Sequence, residues 1–249
     1  MYPSAVRVRR WAVILAALLS GALVFVSMLV DPVPDASGEA LIAGYAAHPL
    51  LQGVHTTLIH YGYALFAPVA FSLVGLVRGR GAWLANGAGL CAVLGLTTLP
   101  GLVLIDYHDV ATANVAGLSV AAAASDAVGT LPGFLPLLLP ALVSSALSLP
   151  LAALAGWRAR LLPLWAPLAL TAAVVAMPLL PGRIGFGPLA LATAGLAYAL
   201  WRIPLRRWFG EPEVAPLRPA AAGEAPAADA QAAPSSGLGS LPRWARQAS

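Results

Sequence analysis

The chain has 249 residues, 59% of them apolar and only 10% charged, a composition that excludes an ordinary soluble domain and indicates an integral membrane protein. The formal net charge is +4, but all 14 basic residues are arginines in short clusters beside apolar runs, so they form no continuous basic face for nucleic acid. A single cysteine, Cys91, excludes an intrachain disulfide and a cysteine-based zinc site.

Long apolar runs predict an all-α fold with six transmembrane helices, each able to cross a hydrocarbon core of about 30 Å. The first run follows Arg9 and Arg10, is longer than the apolar region of a signal peptide and lacks an A-x-A cleavage site, so we expect an uncleaved first helix. The predicted spans are residues 11–30, 53–77, 82–105, 131–157, 161–180 and 184–201.

The connections predict two short extramembrane helices and a tail. An interfacial helix is expected at residues 40–47, because His48-Pro49 disfavours its continuation. The Ala-rich residues 110–129 are too weakly apolar for a further span and predict a second extramembrane or interfacial helix. The predicted domains are residues 1–210, a six-helix transmembrane domain, and residues 211–249, a disordered Pro- and Ala-rich cytoplasmic tail.

Charged residues predict the orientation in the membrane. With six spans, ten arginines fall on one side of the membrane and only Arg183 falls on the other, where the acidic residues also lie. Because basic residues concentrate on the cytoplasmic side, both termini are predicted to be cytoplasmic. The ten arginines are Arg7, Arg9, Arg10, Arg78, Arg80, Arg158, Arg160, Arg202, Arg206 and Arg207, and the acids are Asp31, Asp35, Glu39, Asp106, Asp109 and Asp126.

Two stretches of the chain show a faint repeat. Arg78-Gly-Arg80 leads through an apolar run to Leu99-Pro-Gly101, and Arg158-Ala-Arg160 leads through a similar run to Leu180-Pro-Gly182. One interpretation relates the second and third helices to the fourth and fifth as a pseudo-symmetric four-helix centre. The other is coincidence in a low-complexity sequence.

The hairpin of the second and third predicted helices carries three of the four histidines. Residues equidistant from its turn lie at equal depth, so His55, Asp106, His108 and Asp109 are expected near the outer membrane boundary. Imidazole with carboxylate suits zinc, iron or manganese, which makes these four a candidate site for a divalent metal or another cation. The alternative is a helix terminus with ordinary solvated polar residues, since no tight metal-ligand spacing is present.

His60 lies deeper in the same hairpin. It shares a helix face with Thr56 and Tyr63 and is level with residues 97–100 on the third helix, which include Thr97 and Thr98. Because an imidazole facing lipid is costly, His60 is expected to face the bundle and to hydrogen-bond a neighbour such as one of these threonines. The five residues form a predicted polar stripe, which is either a proton- or ligand-handling site or an interhelical hydrogen bond.

Other chemistries find less support in the sequence. Haem held between helices needs histidines at matching depth, but residues 131–201 contain none, and His108 lies about 13 Å above His60 at the helical rise per residue. No serine, cysteine or carboxylate is deep enough beside a base for an intramembrane protease. The sequence therefore identifies no enzyme, and the cofactor that it supports best is a divalent metal.

Three stretches resemble parts of the small, uncharacterised multi-pass membrane proteins of actinobacteria. They are Leu58-Ile-His-Tyr-Gly-Tyr-Ala-Leu-Phe-Ala-Pro68, Arg78-Gly-Arg-Gly81 and Asp106-Tyr-His-Asp109, in a chain whose basic residues are all arginine. The resemblance covers the first two thirds of the chain and implies a location in the cytoplasmic membrane.

These observations favour a non-enzymatic accessory or sensor protein whose outer-face His/Asp cluster meets a cation, a proton or a partner. The alternative is a small-solute or ion transporter that uses the repeat interface and the stripe around His60. A metal- or haem-dependent redox protein is a third and less favoured class. The expected partners are the lipid bilayer, other membrane proteins or a second copy of the chain, and nucleic acid is not expected.

Overall fold

The computed structural model describes residues 4–180 and 182–209, and within them the protein is all-α. The predicted tail, residues 211–249, lies outside the described residues. A π-helical turn (Ala92–Leu96) follows α4, and a 3₁₀ turn (Gly182–Phe186) precedes α10. The helices are α1 (Ser4–Val30), α2 (Gly38–Ala47), α3 (Pro49–Leu76), α4 (Ala82–Cys91), α5 (Leu99–Leu102), α6 (Ile105–Ala116), α7 (Leu118–Thr130), α8 (Phe134–Arg158), α9 (Trp165–Ala176), α10 (Gly187–Arg202) and α11 (Leu205–Trp208).

Five segments among the described residues are long and apolar enough to cross a membrane. Within the predicted fifth span, residues 161–180, the regular helix is only α9, which has 12 residues and is about 18 Å long at 1.5 Å per residue. Pro178 lacks the N–H that would continue the helical ladder, so the chain ends α9 in turns. The five segments are Ser4–Val30, Pro49–Leu76, Ala82–Ala116, Phe134–Arg158 and Gly182–Arg202.

The third apolar segment, Ala82–Ala116, is not a uniform helix. It widens into the π-helical turn, and Pro100 then removes a backbone donor, so the helix is distorted at mid-segment. The helical chain also continues past Ile105, the predicted boundary, as α6. Gly117, with φ of 96°, separates α6 from α7, so the predicted single helix at residues 110–129 is two helices.

Close backbone contacts between helices hold the bundle together. α1 packs against α3 and α10, while α8 packs against α4, the π-helical turn and α9. A Cβ atom on Gly21 of α1 would lie only 2.9 Å from the Cα atom of Ala190 in α10, and a Cβ atom on Gly95 would lie 2.6 Å from the Cα atom of Ser145 in α8. Glycine at these crossings lets the helices approach more closely than larger side chains would allow.

One end of the bundle gathers arginines, and we call it the arginine end. The Arg9 guanidinium donates to the carbonyl of Trp208 at 3.0 Å, and Arg10 donates to the carbonyl of Trp201. These bonds join the start of α1 to the C-terminal helices α10 and α11. Arg78 and Arg207 line one cavity with Arg9, and Arg80, Arg158 and Arg160 line another surface pocket.

The opposite end, where α1 finishes, carries acidic residues, and we call it the acidic end. Arg183 lies here and donates to the backbone carbonyl of Asp31 at 2.9 Å. A Cβ atom on Gly182 would lie 3.1 Å from Oδ1 of Asp35, which places the start of the 3₁₀ turn beside the same loop. The chain therefore reaches the acidic end again just before α10 begins.

The internal repeat stays a prediction. Its two arginine turns do meet at the arginine end, where a Cβ atom on Gly81 would lie 2.7 Å from the carbonyl oxygen of Ala155. The first helices of the two copies, α3 and α8, also pack against each other. These contacts are compatible with a repeat but equally with an ordinary bundle.

Candidate functional site

His55 is buried where α3 meets the end of α1. Its side chain is only 4% exposed, and its Nδ1 atom lies 2.9 Å from the carbonyl oxygen of Ser27. Ser27 is in the last turn of α1, where backbone carbonyls have no N–H donor within the helix. The imidazole N–H of His55 therefore donates to a carbonyl that would otherwise be buried without a partner. His55 thereby ties α3 to the acidic end of α1.

Asp31 and Tyr45 extend this polar group beyond the end of α1. Asp31 is buried, and its Oδ1 atom accepts the backbone N–H of Val33 at 3.0 Å. Tyr45 of α2 is also buried; its phenol hydrogen-bonds the Asp31 side chain, and its ring centroid lies 6.1 Å from that of His55. One polar side chain therefore comes from the loop after α1, one from α2 and one from α3. The three side chains lie together at the acidic end.

Asp106 brings α6 into the same group. Its carboxylate is within electrostatic range of His55, Asp31 and Asp109. The helices α2, α6 and α7 also pack against one another, and we call these three helices the cap. We name Asp31, Tyr45, His55 and Asp106 the capped cluster.

The four residues predicted as an outer His/Asp site do not all gather. The His108 side chain is 73% exposed, and its Nδ1 atom lies 3.7 Å from the Asp109 carboxylate. Asp109 in turn accepts the hydroxyl of Ser125 in α7 at 2.9 Å, a bond that ties α6 to α7. Within residues 4–180 and 182–209, no three His, Cys, Asp or Glu side chains form a group that could hold a metal ion.

Sequence reasoning missed Asp31, Tyr45 and Gln52 as members of the polar core. Gln52 is buried, and its amide donates to the Thr56 hydroxyl at 3.1 Å. One signal for it was present, because Gln52, His55 and Thr56 have the i, i+3, i+4 spacing of a single helix face. Asp31 and Tyr45 carried no such signal, since they lie outside the predicted membrane helices.

Tyr45 is expected to make the protein sensitive to alkali. Burial and the nearby carboxylates of Asp31 and Asp106 raise the pKa of Tyr45 above its ordinary value of 10.0. A raised folded-state pKa means that the neutral phenol stabilises the fold fully below pH 10, and that this contribution is lost as the pH rises further. We expect Tyr45→Phe to unfold about 1 kcal/mol more easily at pH 7, through loss of the bond to Asp31, but to lose less stability than wild type above pH 10.

Thermal unfolding in detergent micelles at pH 7 and above pH 10 measures this difference. Tyr61→Phe is the matched control, because Tyr61 is 59% exposed. Equal alkaline losses in wild type and Tyr45→Phe would contradict the expected role of Tyr45.

His60 makes its interhelical bond to a backbone carbonyl. Its Nδ1 atom lies 2.8 Å from the carbonyl oxygen of Pro100. In a regular helix that carbonyl would accept the N–H of Leu104, but Leu104 donates instead to Gly101 at 3.2 Å. The distorted helix therefore leaves a carbonyl of this apolar segment without its usual donor, and His60 bonds it.

The other members of the predicted stripe take separate partners. Thr56 is fully buried and bonds Gln52, and the Thr97 hydroxyl donates to the carbonyl of Val93 in its own helix. Thr98 uses its backbone carbonyl to accept the N–H of Gly101 at 3.0 Å. Tyr63 packs against Phe66, with ring centroids 6.0 Å apart. The stripe is therefore a set of local bonds around His60 and not one connected network.

A cavity of about 420 Å³ lies beside Tyr63, within the bundle. Side chains of α3, α8, α9 and α10 line it, together with Leu96 of the π-helical turn and Leu99 of α5. Its polar lining side chains are Tyr63 and Ser145, and the remainder are apolar. The cavity therefore suits an apolar or weakly polar molecule. It lies beside the distorted segment at Leu96 and Leu99, between the two helix pairs of the predicted repeat.

No protein-family model, curated protein or solved structure matches this chain. What the fold and the site define is a class: an all-α protein with five helices among its described residues that are apolar and long enough to cross a membrane.

Proposed function

We propose that the protein crosses the cytoplasmic membrane six times, with both termini in the cytoplasm. Support comes from the segment between α8 and α10. Arg160 lines a pocket with Arg80 at the arginine end, whereas Arg183 bonds Asp31 at the acidic end. The chain thus lies at the arginine end at Arg160 and at the acidic end at Arg183, even though α9 alone is short. The concentration of arginines at one end favours placing that end in the cytoplasm.

Reporter fusions test this topology. A fusion to green fluorescent protein after Gly79, at the arginine end, is expected to fluoresce. Alkaline phosphatase fused after Gly117, in the cap, is expected to be active because the enzyme needs the oxidising outer side. Activity of alkaline phosphatase fused after Gly79 would overturn the orientation.

Within this topology the proposed role is a non-enzymatic accessory or sensor protein whose cap responds to protons or cations. The capped cluster is the observation that carries this proposal. Asp106 lies within electrostatic range of both Asp31 and Asp109, so its negative charge repels theirs. A proton or a cation that neutralises one of them, or a proton that charges His55, reduces the repulsion and tightens the cap.

Hydrogen exchange of the α2 amides in nanodiscs tests the response. After correction for intrinsic exchange, we expect several-fold greater protection at about pH 5.5 than at pH 7.5, since a higher proton concentration favours neutralising the negative charge of the capped cluster. Asp106→Asn should abolish most of the difference. Asp126→Asn, which removes an exposed carboxylate from α7, should retain it. Equal hydrogen-exchange protection of the α2 amides at the two pH values in wild type would contradict the proposal.

A transporter is the second candidate, and the apolar cavity is the observation that favours it. The cavity lies at the junction of broken helices, where transport sites of other membrane proteins are found, and Tyr63 lines it. The bond from His60 to Pro100 supports the broken segment nearby. A transporter reconstituted in liposomes should show solute- or proton-dependent flux that His60→Ala reduces and that His108→Ala, at an exposed site, leaves unchanged. Absence of flux in wild type for protons, ions and small apolar solutes would exclude this class.

A further inference from the structure

Among the described residues, the exposed tryptophan side chains all lie at the arginine end. Trp157 lines a pocket with Arg80 and Arg160, and the backbone carbonyl of Trp201 accepts a hydrogen bond from Arg10. Each of the others follows one of these arginines by at most five residues in the chain. The exposed side chains are Trp11 (52%), Trp83 (89%), Trp157 (39%), Trp165 (43%) and Trp201 (49%).

The acidic end differs in this respect. None of the described tryptophans lies there. The remaining one, Trp208, is only 3% exposed and lies at the arginine end, where its carbonyl accepts the bond from Arg9. The exposed indoles therefore mark one end of the bundle and are not scattered over its surface.

The exposed tryptophans are distributed around the bundle. Each of six helices packs against the next, in the order α1, α10, α9, α8, α4 and α3, and α3 packs against α1 again. Five of these six helices carry one exposed tryptophan each, so the indoles face outward in different directions. A docked protein would cover one side of such a ring, whereas a bilayer surrounds all of it.

The chemistry of indole also fits the boundary of a bilayer. Its broad apolar ring favours the hydrocarbon side, and its N–H donor favours the hydrated headgroups, so tryptophan concentrates where the two meet. The guanidinium groups next to these rings favour the headgroup layer as well. Both kinds of side chain therefore favour the same depth at this end.

The length of α1 provides an independent observation. From Trp11 to Val30 the helix rises about 29 Å at 1.5 Å per residue, which matches a hydrocarbon core of about 30 Å. No charged residue lies between these two positions, and Asp31, whose carbonyl binds Arg183, follows directly. If the core begins at Trp11, it ends where charged residues reappear.

We propose that the five exposed tryptophans form a belt that anchors the arginine end in the headgroup layer of one leaflet. This proposal rests on the proposed membrane topology and adds the position of the bilayer along the helices. The hydrocarbon core extends from Trp11 to the end of α1. The capped cluster then lies at the opposite boundary, and the cap lies in the headgroup layer of the other leaflet.

Quenching of tryptophan fluorescence by nitroxide lipids tests the belt. The full chain carries Trp244→Phe, which removes the tryptophan outside the described residues, and is reconstituted in phosphatidylcholine. The nitroxide is on the headgroup, near the carbonyl end of an acyl chain or near its methyl end. We expect the first two probes to quench about twofold more than the third, because the rings lie at headgroup level. Strongest quenching by the methyl-end probe would overturn the proposal, and absence of quenching by all three would assign the tryptophans to a protein partner.

Two substitutions show which indoles respond to the lipid probes. Trp83→Phe removes the most exposed indole, so the fraction of fluorescence that the headgroup probe quenches should fall. Trp208→Phe is the matched control, since it removes a buried indole and should raise that fraction. Thermal unfolding shows that both variants keep the fold, and equal changes in quenching would contradict the belt.

Spin labels along α1 locate the two boundaries of the core. Cys91, the single cysteine, is replaced by alanine, and one cysteine is introduced at Leu15, Leu19 or Leu29, which are all exposed. These positions lie about 6, 12 and 27 Å from Trp11 along the helix, so Leu19 should be deepest and Leu29 about 3 Å from the far boundary of a core of about 30 Å. Relaxation of each label by oxygen and by a water-soluble nickel complex measures its depth.

The same labels separate failure of the belt from failure of the topology. If the label at Leu29 were the deepest, α1 would still cross the membrane, but Trp11 would not mark its boundary and the belt would be wrong. If the nickel complex reached all three labels equally, α1 would not cross the membrane, and the proposed topology would be wrong as well.

Discussion

Gly95→Leu should prevent stable folding of the bundle. A Cβ atom at residue 95 would lie 2.6 Å from the Cα atom of Ser145. The leucine side chain would therefore clash with the backbone of α8, and one of the two helices would have to shift. Neighbouring small residues on the same side, Ala88 and Ala92, are fully buried, so the helix cannot move away at this point alone. Overpacking of a core usually costs 1–3 kcal/mol, and we expect a value at or above about 3 kcal/mol here because the neighbouring atoms are backbone.

Size-exclusion profiles and unfolding followed by circular dichroism in micelles measure this effect. Gly87→Leu is the control in the same helical segment, where a Cβ atom meets nothing within 4 Å, and it should change stability by less than about 0.5 kcal/mol. A folded Gly95→Leu protein with the stability of wild type would show that α8 does not approach the π-helical turn so closely.

His55→Leu is the second substitution with a large expected effect. Leucine has a similar size and suits the buried position, so the change removes mainly the bond to the Ser27 carbonyl and the imidazole beside Asp106. Leaving that carbonyl buried without a donor costs about 1–3 kcal/mol, and Asp106 loses a neighbour that favours its charge. We expect a total loss of about 2–3 kcal/mol and faster hydrogen exchange in α2.

His55→Gln distinguishes the lost bond from lost packing, because its amide is a donor of similar reach. We expect it to recover part of the stability lost in His55→Leu. His108→Leu is the control, since that imidazole is 73% exposed and makes no interhelical bond in the described residues. Equal effects of His55→Leu and His108→Leu would show that His55 is not part of a buried polar core.

The structure shows which partners the side chains of the predicted cluster and stripe take. Depth along the hairpin placed His60 level with Pro100, and the two do form a bond. The predicted threonine partners were not used, because a carbonyl freed by a helix distortion competes for the same donor. Asp31, from the loop after α1, joined the group only because Arg183, Val33 and Tyr45 hold that loop against the end of the bundle.

The sequence by itself determined the class of protein, the places where long apolar helices form and the grouping of arginines along the chain. These properties are sums over neighbouring residues, so hydropathy and charge suffice to predict them. Only the tertiary structure decided that α9 is short, that His55 bonds α1, and that five tryptophans are exposed while Trp208 is buried. Such features depend on how each helix is rotated and shifted against its neighbours. That arrangement follows from close contacts at residues such as Gly21 and Gly95, whose partners are distant in the chain.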